Sequence, residues 1–227
     1  IANNETGVIN PPEAFAALRA HGWSVIADAV QAAGRVPLEP YLPHVDMLFV
    51  SAHKIGGPKG VGALVVRRDA CGHLRPLISG GGQERGMRGG TENVAGIVGF
   101  GVAARMAKAG LARIETVRAL RDRFEDHLRG LAPDAVFFGS EATRLANTSL
   151  FAVPGLKAET ALIAFDLDGV AVSSGAACSS GKVGKSAVLA AMGAPDDLAA
   201  SAIRVSFGDR STASDADAVL VSLARQL

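Results

Sequence analysis

Cysteine is scarce in this chain: Cys71 and Cys178 are the only two among 227 residues, far apart and outside any CxxC or Cys/His cluster. That scarcity excludes a disulfide framework, suggests no metal site, and fits a reducing, cytoplasmic setting. Long hydrophobic runs are also missing. None approaches 18 apolar residues, so no membrane partner is expected. An excess of either charge is lacking too. With 23 Lys and Arg against 22 Asp and Glu, nothing electrostatic points to nucleic acid. Repeats and low-complexity linkers are absent. So is an initiator methionine: the chain opens IANNETGVINPPEAF, which reads as mid-fold. A fragment lacking its N-terminal part is expected.

What is present is apolar, 48% of the residues, enough for one large domain or two small ones. Short apolar runs alternate with amphipathic stretches, the pattern of an α/β protein. Asn10-Pro11-Pro12-Glu13 reads as a helix start with Asn as N-cap, and the helix stops at Gly22. Strands are expected at 23–28, 46–53 and 62–68, with 74–79 pairing to the last across Asp-Ala-Cys-Gly. TENVAGIVGFGVAARMAKAG (91–110) carries few charges and is expected to be a buried helix. Ile114, Val117, Leu120, Phe124, Leu128 and Leu131 recur every three or four residues and predict an amphipathic helix. Strands at 135–138, 147–153, 170–172 and 202–207 then alternate with helices at 157–167, 186–192 and 213–226. The expectation is a large α/β domain over 1–111 and a small α+β domain over 112–227.

In open α/β sheets ligands sit at the carboxyl ends of strands, where Asp28 and the run Ser51-Ala52-His53-Lys54 fall. Lys54 is either a surface lysine or, partly desolvated at a strand end beside glycines, one able to form a Schiff base. The pattern G-x-x-x-x-G-K-[ST] is not met, so a nucleotide P-loop is rejected. Asp28 is a helix N-cap or, near a reactive lysine, a carboxylate that keeps a pyridine nitrogen protonated. Gln31 is close enough in sequence to reach a ring substituent. The loop GGGQERGMRGGTEN (80–93) is a connector, or else places Thr91 at a helix N-terminus suited to phosphate. Cys178, in SSGAACSSG, is a neutral loop cysteine or a used thiol, since an exposed unused one is an oxidation liability; Lys182 and Lys185 favour its thiolate. Cys71 reads as structural. Arg204, on an apolar strand, needs a carboxylate partner, in the protein or on a substrate.

In order, ANNETG, DAVQAAG, SAHKIGGPKGVGAL, GGGQERGMRGGTENVAGIVGFG, SSGAACSSG and IRVSFG resemble the bacterial cysteine desulfurases of the nitrogen-fixation and iron–sulfur-assembly type. These are class V members of the fold-type I aminotransferase superfamily, and the resemblance covers nearly the whole chain. It implies the C-terminal part of a PLP-binding large domain, with a mostly parallel sheet and flanking helices, followed by the small domain that carries the cysteine loop. It implies pyridoxal 5'-phosphate bound covalently by Lys54, with Asp28 on the pyridinium nitrogen and Asn4 and Gln31 at the ring. Ser51 and His53 would hold the phosphate, and Thr91 the phosphate of a partner subunit's cofactor in a homodimer. Arg204 would bind the carboxylate of L-cysteine, and Cys178 would receive its sulfur as a persulfide for an iron–sulfur scaffold or a tRNA-thiolation carrier. The family's alternatives are a selenocysteine lyase and a non-catalytic scaffold for sulfur-transfer proteins. Two departures stand out. Ile26 occupies a position where many relatives have His, and the family's Gly-Ala-Thr phosphate loop and ring-stacking His have no match here.

Overall fold

The computed structural model describes residues 1–175 and 186–227. The chain divides into two compact units: Ile1 with Asn10–Leu111, and Ala2–Ile9 with Ala112–Leu227. Residues 2–9, placed with 1–111 in the sequence reading, here form part of the second unit.

The first unit opens with α1 (Pro12–Ala20). Its N-cap is Pro11 rather than Asn10, in extended backbone with no side-chain cap bond. The reason is local: a residue preceding proline is held out of the helical region, so Pro11 stays extended and Pro12 begins the helix. Phe15 of α1 meets Tyr41 edge-on, ring centroids 5.3 Å apart. Strands β1 (Ile26–Asp28), β2 (Met47–Ser51) and β3 (Gly62–Val66) form a sheet in that order. β1 runs parallel to β2, with Asp28 opposite Phe49, and β2 runs antiparallel to β3, with Ser51 opposite Gly62. Asp46 secures the entry to the sheet: Oδ2 accepts from the Val25 amide at 2.8 Å, and Oδ1 meets Arg19 at 2.8 Å and Arg67 at 2.6 Å.

Residues 74–79 form no strand. Pro76 lies in the middle of that run and has no N–H to give a ladder. The expectation of a buried helix is also corrected. α2 (Val94–Gly110) buries only Gly96 and Ala103, while Val94, Val98, Val102 and Met106 are exposed. Its small residues approach the unit's own turns: a Cβ on Gly57 would lie 3.1 Å from Ala103, and one on Gly34 would lie 2.8 Å from Ala107. The larger residues are left outside. The helical stretch Val94–Leu131 is long and apolar enough, by length and composition alone, to cross a membrane, which reading the apolar runs one by one did not show.

In the second unit, α3 (Ile114–Leu131) lays Val117, Phe124 and Leu128 into the core, as their spacing predicts. The sheet is β4 (Val136–Phe137), β5 (Thr148–Ala152), β7 (Ala202–Ser206) and β6 (Ser173–Ser174), in that spatial order and antiparallel throughout. Alternation along β5 and β7 separates two faces. Phe151, Ile203 and Val205 join the cluster with α3, α4 (Ala158–Leu167) and α7 (Ala213–Ala224), while Leu150, Ala152 and Ala202 pack with Leu189 of α5 (Ala187–Ala191). A further short helix, α6 (Asp196–Ala200), was not expected. The segment 2–9 is held by a Val8–Arg144 bridge and by the Leu145 amide, which donates to the Gly7 carbonyl at 2.8 Å. Gly7 is left-handed at φ +75°, and a Cβ there would lie 3.1 Å from Thr148. Arg144 in turn grips Glu125 with two bonds of 2.8 and 3.0 Å.

Candidate active site

In the first unit, two adjacent parallel strands end in polar groups at the same sheet edge: Asp28 closes β1 and Ser51 closes β2. The Asp28 carboxylate is exposed, and Oδ1 accepts from the Val30 amide at 2.8 Å. This short-range bond shapes the turn that carries Gln31. Past Ser51 the chain tightens into a 3-10 turn, Ala52–Ile55, ended by Gly56 at φ +83°. Ser51 Oγ lies 2.8 Å from His53 Nδ1, so hydroxyl and imidazole form one polar pair. Lys54 sits on the same turn, half-buried. Among the described residues its Nζ makes no hydrogen bond or ion pair, although its backbone carbonyl is engaged by Arg35 Nη2 at 3.0 Å. Arg35 Nη1 holds the Gln31 carbonyl at 2.9 Å. The sequence reading missed Arg35; its one signal is a basic residue four positions after Gln31 in QAAGR.

Thr91 lies in the loop before α2, and its carbonyl accepts from Arg88 Nη1 at 3.3 Å. It does not open the helix. Asn93 is the N-cap, its Oδ1 accepting from the Gly96 amide at 3.0 Å.

In the second unit, Arg204 occupies the middle of β7, opposite Leu150 and Ser173. Nη1 donates to the Asn4 carbonyl at 2.7 Å. Nε is buried with no hydrogen-bond partner among the described residues. Such a group is costly to leave unpaired, and its free edge suits a ligand carboxylate. Asn4 and Arg204 thus meet within this unit. Cys178, Lys182 and Lys185 lie outside the described residues. Among those described, no group of three or more His, Cys, Asp or Glu could hold a metal.

The first unit's set is therefore an amine without a partner among the described residues, a hydroxyl–imidazole pair and a carboxylate at the carboxyl edge of an open sheet. That donor set fits an anionic ligand that also offers an electrophilic carbon to the lysine. It is the layout of an α/β fold with a ligand site at its strand ends. The class V aminotransferase model matches residues 1–219, and the chain belongs to that family.

A cysteine desulfurase of Gluconacetobacter diazotrophicus is 47% identical over 221 residues, covering 96% of this chain and 55% of its own length. The chain thus spans about half the length of the curated relatives it matches. Among solved structures, a NifS-like protein from Rickettsia africae superposes with a TM-score of 0.88 at 32% identity, over 99% of this chain and 59% of that one. SspA, solved in complex with cysteine, superposes with a TM-score of 0.70 at 29% identity, over 93% of this chain and 58% of its own.

Proposed function

We propose that the complete protein is a pyridoxal 5'-phosphate-dependent cysteine desulfurase that converts L-cysteine to L-alanine and moves the sulfur to Cys178. The observation that carries this reading is the Lys54 amine, without a partner among the described residues, on the same turn as the Ser51–His53 pair, with Asp28 at the neighbouring strand end. The desulfurase names of its relatives and the cysteine held by a structural neighbour support the substrate.

When bound, the cofactor supplies an electron sink for charge that develops at the substrate Cα. Ser51 and His53 hold its phosphate, and Thr91 reaches the phosphate bound by a second copy of the chain. Gln31 and Asn4 contact the ring, and the Asp28 carboxylate keeps the ring nitrogen protonated. Lys54 would bond the cofactor through Nζ, and its free amine would carry the Cα proton. Arg204 takes the substrate carboxylate on the edge of its guanidinium that has no partner among the described residues. The Cys178 thiolate then attacks the substrate sulfur: an S–S bond forms, the C–S bond breaks, and the electron pair returns to Cβ, which is protonated as alanine leaves. The persulfide passes to an acceptor protein, an iron–sulfur scaffold or a tRNA-thiolation carrier. The exposed apolar residues of α2 support a homodimer, and the scarcity of cysteine supports a cytoplasmic setting.

The test uses the full-length protein and its Cys178→Ala and Lys54→Ala variants. Cys178→Ala should keep the yellow cofactor band and lose sulfide release from cysteine, whereas Lys54→Ala should lose the covalent, borohydride-reducible cofactor. Full sulfide release without Cys178 would sink the mechanism.

A further inference from the structure

We infer that Arg35 is a positioning residue for Lys54: its guanidinium fork ties the turn after β1 to the turn after β2 and so fixes the main chain from which the lysine side chain swings. The inference rests on the reading of Lys54 as the cofactor-bonding lysine. The register between β1 and β2 ends at Asp28 opposite Phe49, followed by one more bond, from the Ala29 amide to the Phe49 carbonyl at 3.0 Å. Beyond that point the strands part. Gln31 goes one way and Lys54 the other, and the sheet no longer sets their spacing. Arg35 does so in its place, with Nη1 on the Gln31 carbonyl at 2.9 Å and Nη2 on the Lys54 carbonyl at 3.0 Å.

The same two turns are backed by α2. Gly34, left-handed at φ +71°, would drive a Cβ to 2.8 Å from Ala107, and Gly57 would place one 3.1 Å from Ala103. The Lys54 turn is thus closed from behind by helix and gripped at its carbonyl by arginine. The Lys54 Nζ makes no hydrogen bond or ion pair among the described residues. A lysine that must both bond a cofactor and take a proton from the substrate Cα needs a fixed origin and a mobile tip, because a displacement of about 1 Å can cost about a hundredfold in rate. Lysine cannot replace arginine here, since an ammonium is a point donor without the planar fork.

The experiment uses the full-length protein with Arg35→Lys and Arg35→Met. Without cofactor, amide exchange over residues 52–57 should quicken about tenfold in Arg35→Met, with Arg35→Lys between it and wild type. With cofactor, kcat per bound cofactor should fall about tenfold or more while KM for cysteine stays within about twofold. The isotope effect from deuterium at the cysteine Cα should rise, because removal of the Cα proton by Lys54 becomes slower. Unchanged exchange in Arg35→Met overturns the inference. So does a loss confined to cofactor occupancy and melting temperature with kcat per occupied site intact, the result of a merely stabilising brace. Should wild type form no reducible link at Lys54, the cofactor reading fails, while the exchange measurement still decides whether Arg35 holds the turn.

Discussion

The two units solve the same problem differently. In the second, Phe124, Phe151 and Phe165 are each at 0% exposure, closed in by α3, α4 and α7 on one side of a four-stranded sheet. In the first, Ile26, Leu64 and Val65 of the three-stranded sheet are 60%, 52% and 52% exposed, and α2 turns its larger apolar residues outward. One unit buries its core with its own elements. The other carries Lys54, Asp28, Ser51 and His53 on a sheet whose apolar surface its own elements leave open. At about 25 cal/mol per Å², that open surface is stabilisation not yet realised within these residues. The lesson is that ligand-binding strand ends and a self-sufficient core need not coincide.

Substitutions can sharpen or break this contrast. The largest effects are expected in the second unit, at Phe151 and at the Glu125–Arg144 pair, whose side chains are 4% and 6% exposed. Arg144→Ala leaves the buried Glu125 carboxylate with Arg129 alone, at 3.6 Å, and should cost about 3 kcal/mol by urea unfolding. Phe151→Ala should cost about 3–5 kcal/mol, since it opens a cavity among packed rings. A loss below about 1 kcal/mol at both positions would mean that the second unit is not the tightly packed one.

Next comes Asp46, the main polar anchor of the first unit. The Val25 amide bond, and after it Arg19, hold its carboxyl below the ordinary carboxylate range. Asp46→Asn should cost about 2 kcal/mol near neutral pH, the scale of hydrogen bonds to a charged group. Because the folded state lowers this pKa, its contribution is present above the unfolded value of about 3.9 and is lost as pH falls through the folded value. Melting curves of wild type and Asp46→Asn should therefore differ near neutrality and converge in acid. A gap that persists at the lowest pH would refute the assignment.

The smallest effect is expected on the open sheet. Leu64→Thr should change the unfolding free energy of the 227-residue chain by less than about 0.5 kcal/mol. A loss several times larger would show that face to be packed and would erase the contrast between the units.

Much of this architecture was legible locally. The three- and four-residue recurrence of apolar side chains from Ile114 to Leu131 is a property of the helix itself and survived into α3 with Phe124 and Leu128 buried. The candidate groups Asp28, Ser51, His53 and Lys54 were readable because a strand followed by polar residues places them at a sheet edge wherever the sheet ends. Pro76 was a local signal too, and it outweighs the apolar residues around it that suggest a strand. Thr91 misled because Asn93 competes for the same cap and lies where the helix begins.

By itself the sequence determined the residue types at the strand ends, the periodicity of α3, and the ordered motifs that place the chain in its family, since each depends on neighbours a few residues apart. The tertiary structure alone decided three other things. Residues 2–9 join the second unit, α2 shows its apolar side chains to the outside, and Arg35 spans to Lys54, nineteen residues away. Those outcomes depend on which distant backbone a side chain meets. A glycine that admits a helix, or a carbonyl left over where two strands part, acquires that meaning only when the chain has closed.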